Sequence, residues 1–139
     1  AIRRLLMDYG FYLDDRNLRA YADLFAQEGE WIGGFGRAKT PDGIYRMLSE
    51  AGMPPNHHEG GHRSVHVITN PRIDVDGDQA TAWSRFVVIN TAEDGSPQVW
   101  RVGHYRDRLV RENGSWKFLQ RIVYGDIPAN DPLANGGEG

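Results

Sequence analysis

The chain contains no cysteine, which excludes disulfide bonds and thiol catalysis and makes a cytoplasmic protein the expectation. No apolar run approaches the ~18 residues needed to cross a bilayer, so no membrane partner is expected. Cations are not in surplus: 16 Lys and Arg stand against 19 Asp and Glu, for a net charge of −3. Too little positive charge is left to neutralise phosphates, which argues against nucleic acid as a partner. No charged-then-apolar leader opens the chain, although Ala1 already stands inside an amphipathic pattern. No internal repeat is visible, and 139 residues suit one domain with a substantial core.

Histidine, by contrast, is concentrated. His57, His58, His62 and His66 fall within the run HHEGGHRSVH. The imidazole pKa lies nearest neutrality, so the cluster suggests proton transfer or metal binding. Residues 58–62 even spell H-E-x-x-H, but a zinc site of that kind needs one helix to carry both rings. Gly60 and Gly61 occupy its middle, Pro54 and Pro55 precede it, and SVHVIT follows as a strand. The expectation is therefore no metal and no cofactor. On a strand, His62, His66 and Ile68 share a face. His57 and His58 read as solvated loop residues and His62 as a pocket-rim residue. His66, among Val65, Val67 and Ile68, needs a partner or a task.

Ile2, Leu5, Leu6, Tyr9 and Leu13 form a helical stripe, and Asn17 caps a second helix with Leu18, Tyr21, Ala22, Leu24 and Phe25 inward. A short strand is predicted over 30–35, and Thr40-Pro41 opens a helix through Ile44, Met47 and Leu48. Four β-rich runs follow at about 62–75, 79–92, 97–111 and 115–125, separated by Asp76-Gly77, Asp94-Gly95 and Asn113-Gly114 turns. Helices first and a meander afterwards predict an α+β fold with helices on one sheet face. The domain is expected over 1–126, with 127–139 as a flexible tail or partner-contacting arm.

The segments YLDDRNLRAYADLF, SVHVITN and GHYRDRLVRENGSWKFLQR, in this order and spacing, resemble the SnoaL-like branch of the nuclear-transport-factor-2-like superfamily over roughly residues 2–125. The resemblance implies a cone: a curved sheet wrapped around helices, with a pocket between them. Its members include scytalone dehydratase, bile-acid dehydratase, hexachlorocyclohexane dehydrochlorinase, polyketide cyclases and ring-hydroxylating dioxygenase β subunits, so fold alone does not fix function. The lyases use an Asp–His pair, whose positions match Asp14 and His66. An arginine near the end of the last strand matches Arg121, and the position a turn before the aspartate holds Tyr9. Scytalone dehydratase carries a second histidine and a tyrosine where this chain has Arg85 and Leu13, which counts against scytalone as the substrate.

The residue chemistry agrees with that implication. A carboxylate fixes the imidazole tautomer, a tyrosine can donate to a carbonyl oxygen, and an arginine can stabilise developing negative charge. Each has a structural alternative: a solvated helix end for Asp14 (with Asp15 as rival), core packing for Tyr9, and an ion pair for Arg121. Trp31, Tyr45, Met47, His62, Trp83, Arg85, Val87 and Tyr105 are the candidate pocket residues, the aromatics among them also suiting a core. Trp100, Val102, Trp116, Phe118 and Ile122 could cover the other sheet face in a homodimer or homotrimer. The leading reading is a cofactor-independent lyase, dehydratase-like, acting on a small cyclic hydroxy-carbonyl compound; an isomerase or cyclase is related chemistry. The alternatives are a non-catalytic binding or accessory module, a dioxygenase β subunit and a zinc hydrolase.

Overall fold

The amphipathic stripe winds into α1 (Ile2–Asp14), which buries Leu5, Leu6, Tyr9, Gly10 and Leu13 on one side. Arg16 takes the left-handed conformation (φ 59°) and breaks the helix. Asn17 then caps α2 (Leu18–Ala22), its side chain accepting the Ala20 N–H. Leu24 and Phe25, expected in this helix, lie beyond it: Phe25 opens β1 (Phe25–Gly33). Gly36, at φ 118°, turns the chain back into β2 (Gly36–Lys39), a strand the sequence reading did not anticipate. Thr40 caps α3 (Pro41–Glu50) by accepting the Gly43 N–H, as the Thr-Pro pair implies.

The computed structural model describes residues 1–53 and 63–136. From Ser64 the chain is β: β3 (Ser64–Asp76), β4 (Gln79–Thr91), β5 (Pro97–Glu112) and β6 (Ser115–Ile127). Gly77, Gly95 and Gly114, all at positive φ, close the three hairpins where the turn dipeptides placed them. The strands join in the order β2-β1-β6-β5-β4-β3. The β1–β6 pairing is parallel and the others are antiparallel. Register shifts at Thr69/Arg72, Val88/Ile89 and Arg108/Leu109 bend the strands into a curved sheet.

The segment expected to be a flexible tail has structure. β6 continues to Ile127, β7 (Ala129–Asn130) pairs with β6, and α4 (Pro132–Gly136) follows. Among the described residues no helix is long and apolar enough to cross a membrane.

Helix α1 lies against β3. Gly10 makes that approach possible, since a Cβ there would come within 2.8 Å of the Ile68 Cδ1 atom. The inner sheet face carries Phe86, Val88, Tyr105, Leu109 and Phe118, all buried with the helices. Val102 and Ile122 pair with outer-face residues, but Phe118 is fully buried inside and Trp116 packs against the core. Those two therefore do not cover the outer face.

Gly103 permits another close contact: a Cβ there would strike the Tyr124 carbonyl and the Phe86 ring. Because the carbonyl is main chain, it cannot rotate aside. Gly103→Ala is expected to cost about 1–3 kcal/mol, read as a lower urea midpoint with an unchanged slope.

Candidate active site

Between the helices and the inner face of the sheet lies a cavity of about 810 Å³. Its wall is largely aromatic and aliphatic, with Trp31, Phe35, Phe86, Trp100 and Tyr105 among the rings. That volume and character suit a small organic ligand.

His66 reaches this cavity from β3. Its Nδ1 lies 2.7 Å from Oδ1 of Asp14, the last residue of α1. The same carboxylate accepts the His66 main-chain N–H at 3.1 and 3.0 Å. Asp14 is thus anchored to the strand whether or not the ring is present, and the ring orientation follows. Both side chains are largely buried, 16% and 20% exposed for His66 and Asp14. An imidazole that gives its Nδ1–H to a carboxylate keeps its lone pair on Nε2. Asp15, the rival carboxylate, is exposed and forms the helix C-cap.

Tyr9, one turn before Leu13 on the buried side of α1, forms a second polar centre on the wall. Its hydroxyl oxygen accepts the Trp31 indole N–H at 3.0 Å and lies 2.6 Å from the Tyr21 hydroxyl. Indole can only donate, so one Tyr9 lone pair is committed. With Tyr21 donating as well, the Tyr9 proton is left to point to an acceptor in the cavity. Burial raises the Tyr9 pKa, against the opposing influence of Arg121 and the two hydrogen bonds. Tyr9 is therefore a neutral donor at physiological pH. Burial likewise pushes Tyr21 and Tyr105 well up.

Arg121 does not line the cavity. It is fully buried on the inner face and directly opposes Asp107 in the β5–β6 register. Two parallel hydrogen bonds of 2.7 and 2.8 Å join the pair. The guanidinium is packed under the rings of Tyr105, Tyr9 and Phe118, at 3.8, 4.1 and 4.3 Å from their centroids. Burial disfavours its charge, but attraction and hydrogen bonding to Asp107 outweigh this and hold the Arg121 pKa above its ordinary value. Arg121, expected among the catalytic residues, thus packs against the Tyr9 ring and not on the cavity wall.

Several expected wall residues lie elsewhere. On β4 the inward parity belongs to Phe86, Val88 and Asn90, so Trp83, Arg85 and Val87 face outward. Arg85 there binds Asp126 at 3.1 Å, and Asp126 also lies 2.9 Å from Nδ1 of His104. The His104 ring stacks between Tyr124 and Trp83. Tyr45 is exposed on α3 under the Arg19 guanidinium, and Met47 lines a separate surface depression while Leu48 lines the cavity. Trp31 and Tyr105 are wall residues as expected.

His57, His58 and His62, and with them the H-E-x-x-H motif, lie outside the described residues. Among the described residues no group of three or more His, Asp or Glu could hold a metal. The sequence reading missed Tyr21, Asn90, Arg101, Asn130 and Arg16 as wall residues. Tyr21 was legible only as part of the α2 stripe. Burial lowers the Arg16 pKa, with attraction to Asp14 opposing the shift.

Helices held against the inner face of a curved, mostly antiparallel sheet, with a pocket between them, define the cystatin-like class of the nuclear-transport-factor-2-like superfamily. Within it, the chain belongs to the SnoaL-like domain family, which matches residues 1–122. Some members of that family are polyketide cyclases or dehydratases, and others are ring-hydroxylating dioxygenase β subunits.

Among solved structures, ActVI-ORFA from Streptomyces coelicolor is similar at 22% identity and a TM-score of 0.77, over 91% of this chain and 95% of that one. A Catenulispora acidiphila protein in complex with S-DNPA is 25% identical, with a TM-score of 0.75 over 91% of this chain and 92% of its own. A third neighbour is an uncharacterised protein with a cystatin-like fold from Nostoc punctiforme (21% identity, TM-score 0.75, 90% and 88% covered). No curated protein matches the chain.

Proposed function

We propose that this protein is a cofactor-independent lyase of dehydratase type, with His66 as the base and a small cyclic hydroxy-carbonyl compound as substrate. The 2.7 Å contact between Asp14 and the His66 ring, at the wall of an apolar cavity, carries this reading.

In the proposed reaction Nε2 of His66 takes a proton from the carbon next to the carbonyl. The C–H electrons move into the adjacent bond, and the carbonyl oxygen becomes an enolate that accepts the Tyr9 O–H. Asp14 stabilises the imidazolium that forms. When the enolate collapses, the β-hydroxyl leaves, takes the proton from His66 and departs as water. Base and cavity return to their starting state, and no oxidant or reductant is consumed. Arg121 is a positioning residue here: its charge beneath the Tyr9 ring opposes the rise in the phenol pKa that burial causes and so strengthens the O–H as a donor.

Cyclic β-hydroxy ketones, screened for the growing absorbance of a conjugated enone, test the reading with Asp14→Asn alongside the wild type. Turnover that disappears in a folded Asp14→Asn protein supports it, and an equally active variant contradicts it. Tyr9→Phe is expected to lower kcat by about a hundredfold, the effect of losing one donor to a developing oxyanion. A kcat within twofold of wild type would remove Tyr9 from the mechanism.

A further inference from the structure

The cavity wall is unevenly charged. Arg16 and Arg101 contribute to it, and among the described residues no Asp or Glu does. The Asp14 carboxylate lies behind His66, occupied with that residue's main-chain and ring N–H groups.

Arg101 differs from the ion-paired arginines of the sheet in its surroundings. It is half-buried, and its guanidinium rests on the Trp100 ring at 4.4 Å from the centroid. Among the described residues no carboxylate pairs with it. Arg121, by comparison, is neutralised by Asp107, and Arg85 by Asp126.

The sheet register fixes where Arg101 stands relative to the base. Val88 is paired with His66 on one side and with Arg101 on the other. The three therefore form one row across the inner face, and all three line the cavity. Two interstrand steps separate the strands of His66 and Arg101, about 10 Å at the usual strand spacing. Fused aromatic rings bearing an acidic group at one end match this span, and the rings of Trp100, Phe35 and Trp31 offer faces for them.

We propose that Arg101 is the anion anchor of this cavity, selecting planar cyclic compounds that carry a carboxylate on the side remote from the carbon His66 attacks. The attacked carbon rests on the reading of His66 as the base; selection of the anion does not. Guanidinium binds carboxylate in a planar, two-point fashion, and the apolar surroundings strengthen the contact. An amine in the same place would meet an unbalanced like charge.

Calorimetry with naphthoate, its neutral isostere naphthamide and the cation naphthylmethylammonium tests this without turnover. The wild type is expected to bind naphthoate about tenfold more tightly than naphthamide, one charge-assisted contact over a neutral one, and to bind the cation least. The naphthoate preference should shrink with added salt and disappear in Arg101→Gln. Arg101→Lys should keep part of it, and His66→Ala should keep all of it. Equal affinity of the wild type for naphthoate and naphthamide would overturn the proposal, as would a full preference surviving in Arg101→Gln. If the preference follows Arg101 but no hydroxy ketone is turned over, the anchor stands and the lyase reading falls. If turnover depends on His66 while the preference is absent, the reverse holds.

Discussion

His66→Ala is expected to reduce turnover by about two to four orders of magnitude, the range of a positioned acid–base group, while leaving the protein folded. The fold should survive because the main-chain N–H of residue 66 remains and still gives Asp14 its hydrogen bonds. The β3–β4 ladder through Val88 does not depend on the ring either. What disappears is the Nε2 lone pair at the cavity wall and the imidazolium that would return the proton to the leaving hydroxyl. The loss should therefore fall on kcat, with little change in KM, because the ring contributes little to binding the ground state, in which the carbon it attacks is still uncharged. Circular dichroism and a urea titration establish that the variant is folded. A folded His66→Ala enzyme with undiminished kcat would place the proton transfer elsewhere.

The second large effect is on stability. Arg121→Met is expected to cost about 3–5 kcal/mol, a large share of the roughly 5–15 kcal/mol that holds a domain together. The reason is Asp107, not the arginine itself. Both side chains of the pair are completely inaccessible, and Asp107 receives two hydrogen bonds from Arg121. Without the guanidinium a carboxylate is left buried with no counter-charge, and three aromatic rings lose the cation packed against them. Adding Asp107→Leu to Arg121→Met should recover most of the loss, since an apolar pair of similar volume can replace a buried ion pair. Urea unfolding of the two single variants and the double variant measures the coupling. If Arg121→Met unfolds at the wild-type midpoint, the pair is not a structural element of the core.

Much of the architecture was legible because local signals agreed. The α1 stripe, the Asn17 and Thr40 caps and the three Asp-Gly or Asn-Gly turns each specify one local geometry, and each appears where it was read. The region 24–39 was harder. Leu24 and Phe25 continue the α2 apolar stripe in sequence, but α2 closes at Ala22 and Phe25 pairs with Phe118 as β1 begins. Long-range pairing overrode the local pattern there.

Asp14 and His66 came into view through motif order, whereas the wall of β4 did not. Both parities of that strand are apolar, Trp83, Val87 and Ile89 on one side and Phe86 and Val88 on the other, so alternation could not choose between them. The inward row is marked by its small residues Ala80, Ala82 and Ser84, all buried. For Arg121 the sequence left a catalytic role and an ion pair both open, with no partner named. Its partner Asp107 lies across a hairpin, and only the β5–β6 register shows the two face to face. Arg101 becomes visible in the same way, through its pairing with Val88.

The central claim is that Asp14 holds the His66 proton on Nδ1 and leaves Nε2 as the base facing the cavity. Nitrogen-15 NMR of histidine-labelled protein, at a pH where the ring is neutral, reads the tautomer directly. The account predicts an Nδ1-protonated ring for His66, with a strongly deshielded Nδ1 proton that moves in Asp14→Asn. An Nε2-protonated His66, or a spectrum unchanged by Asp14→Asn, would contradict it.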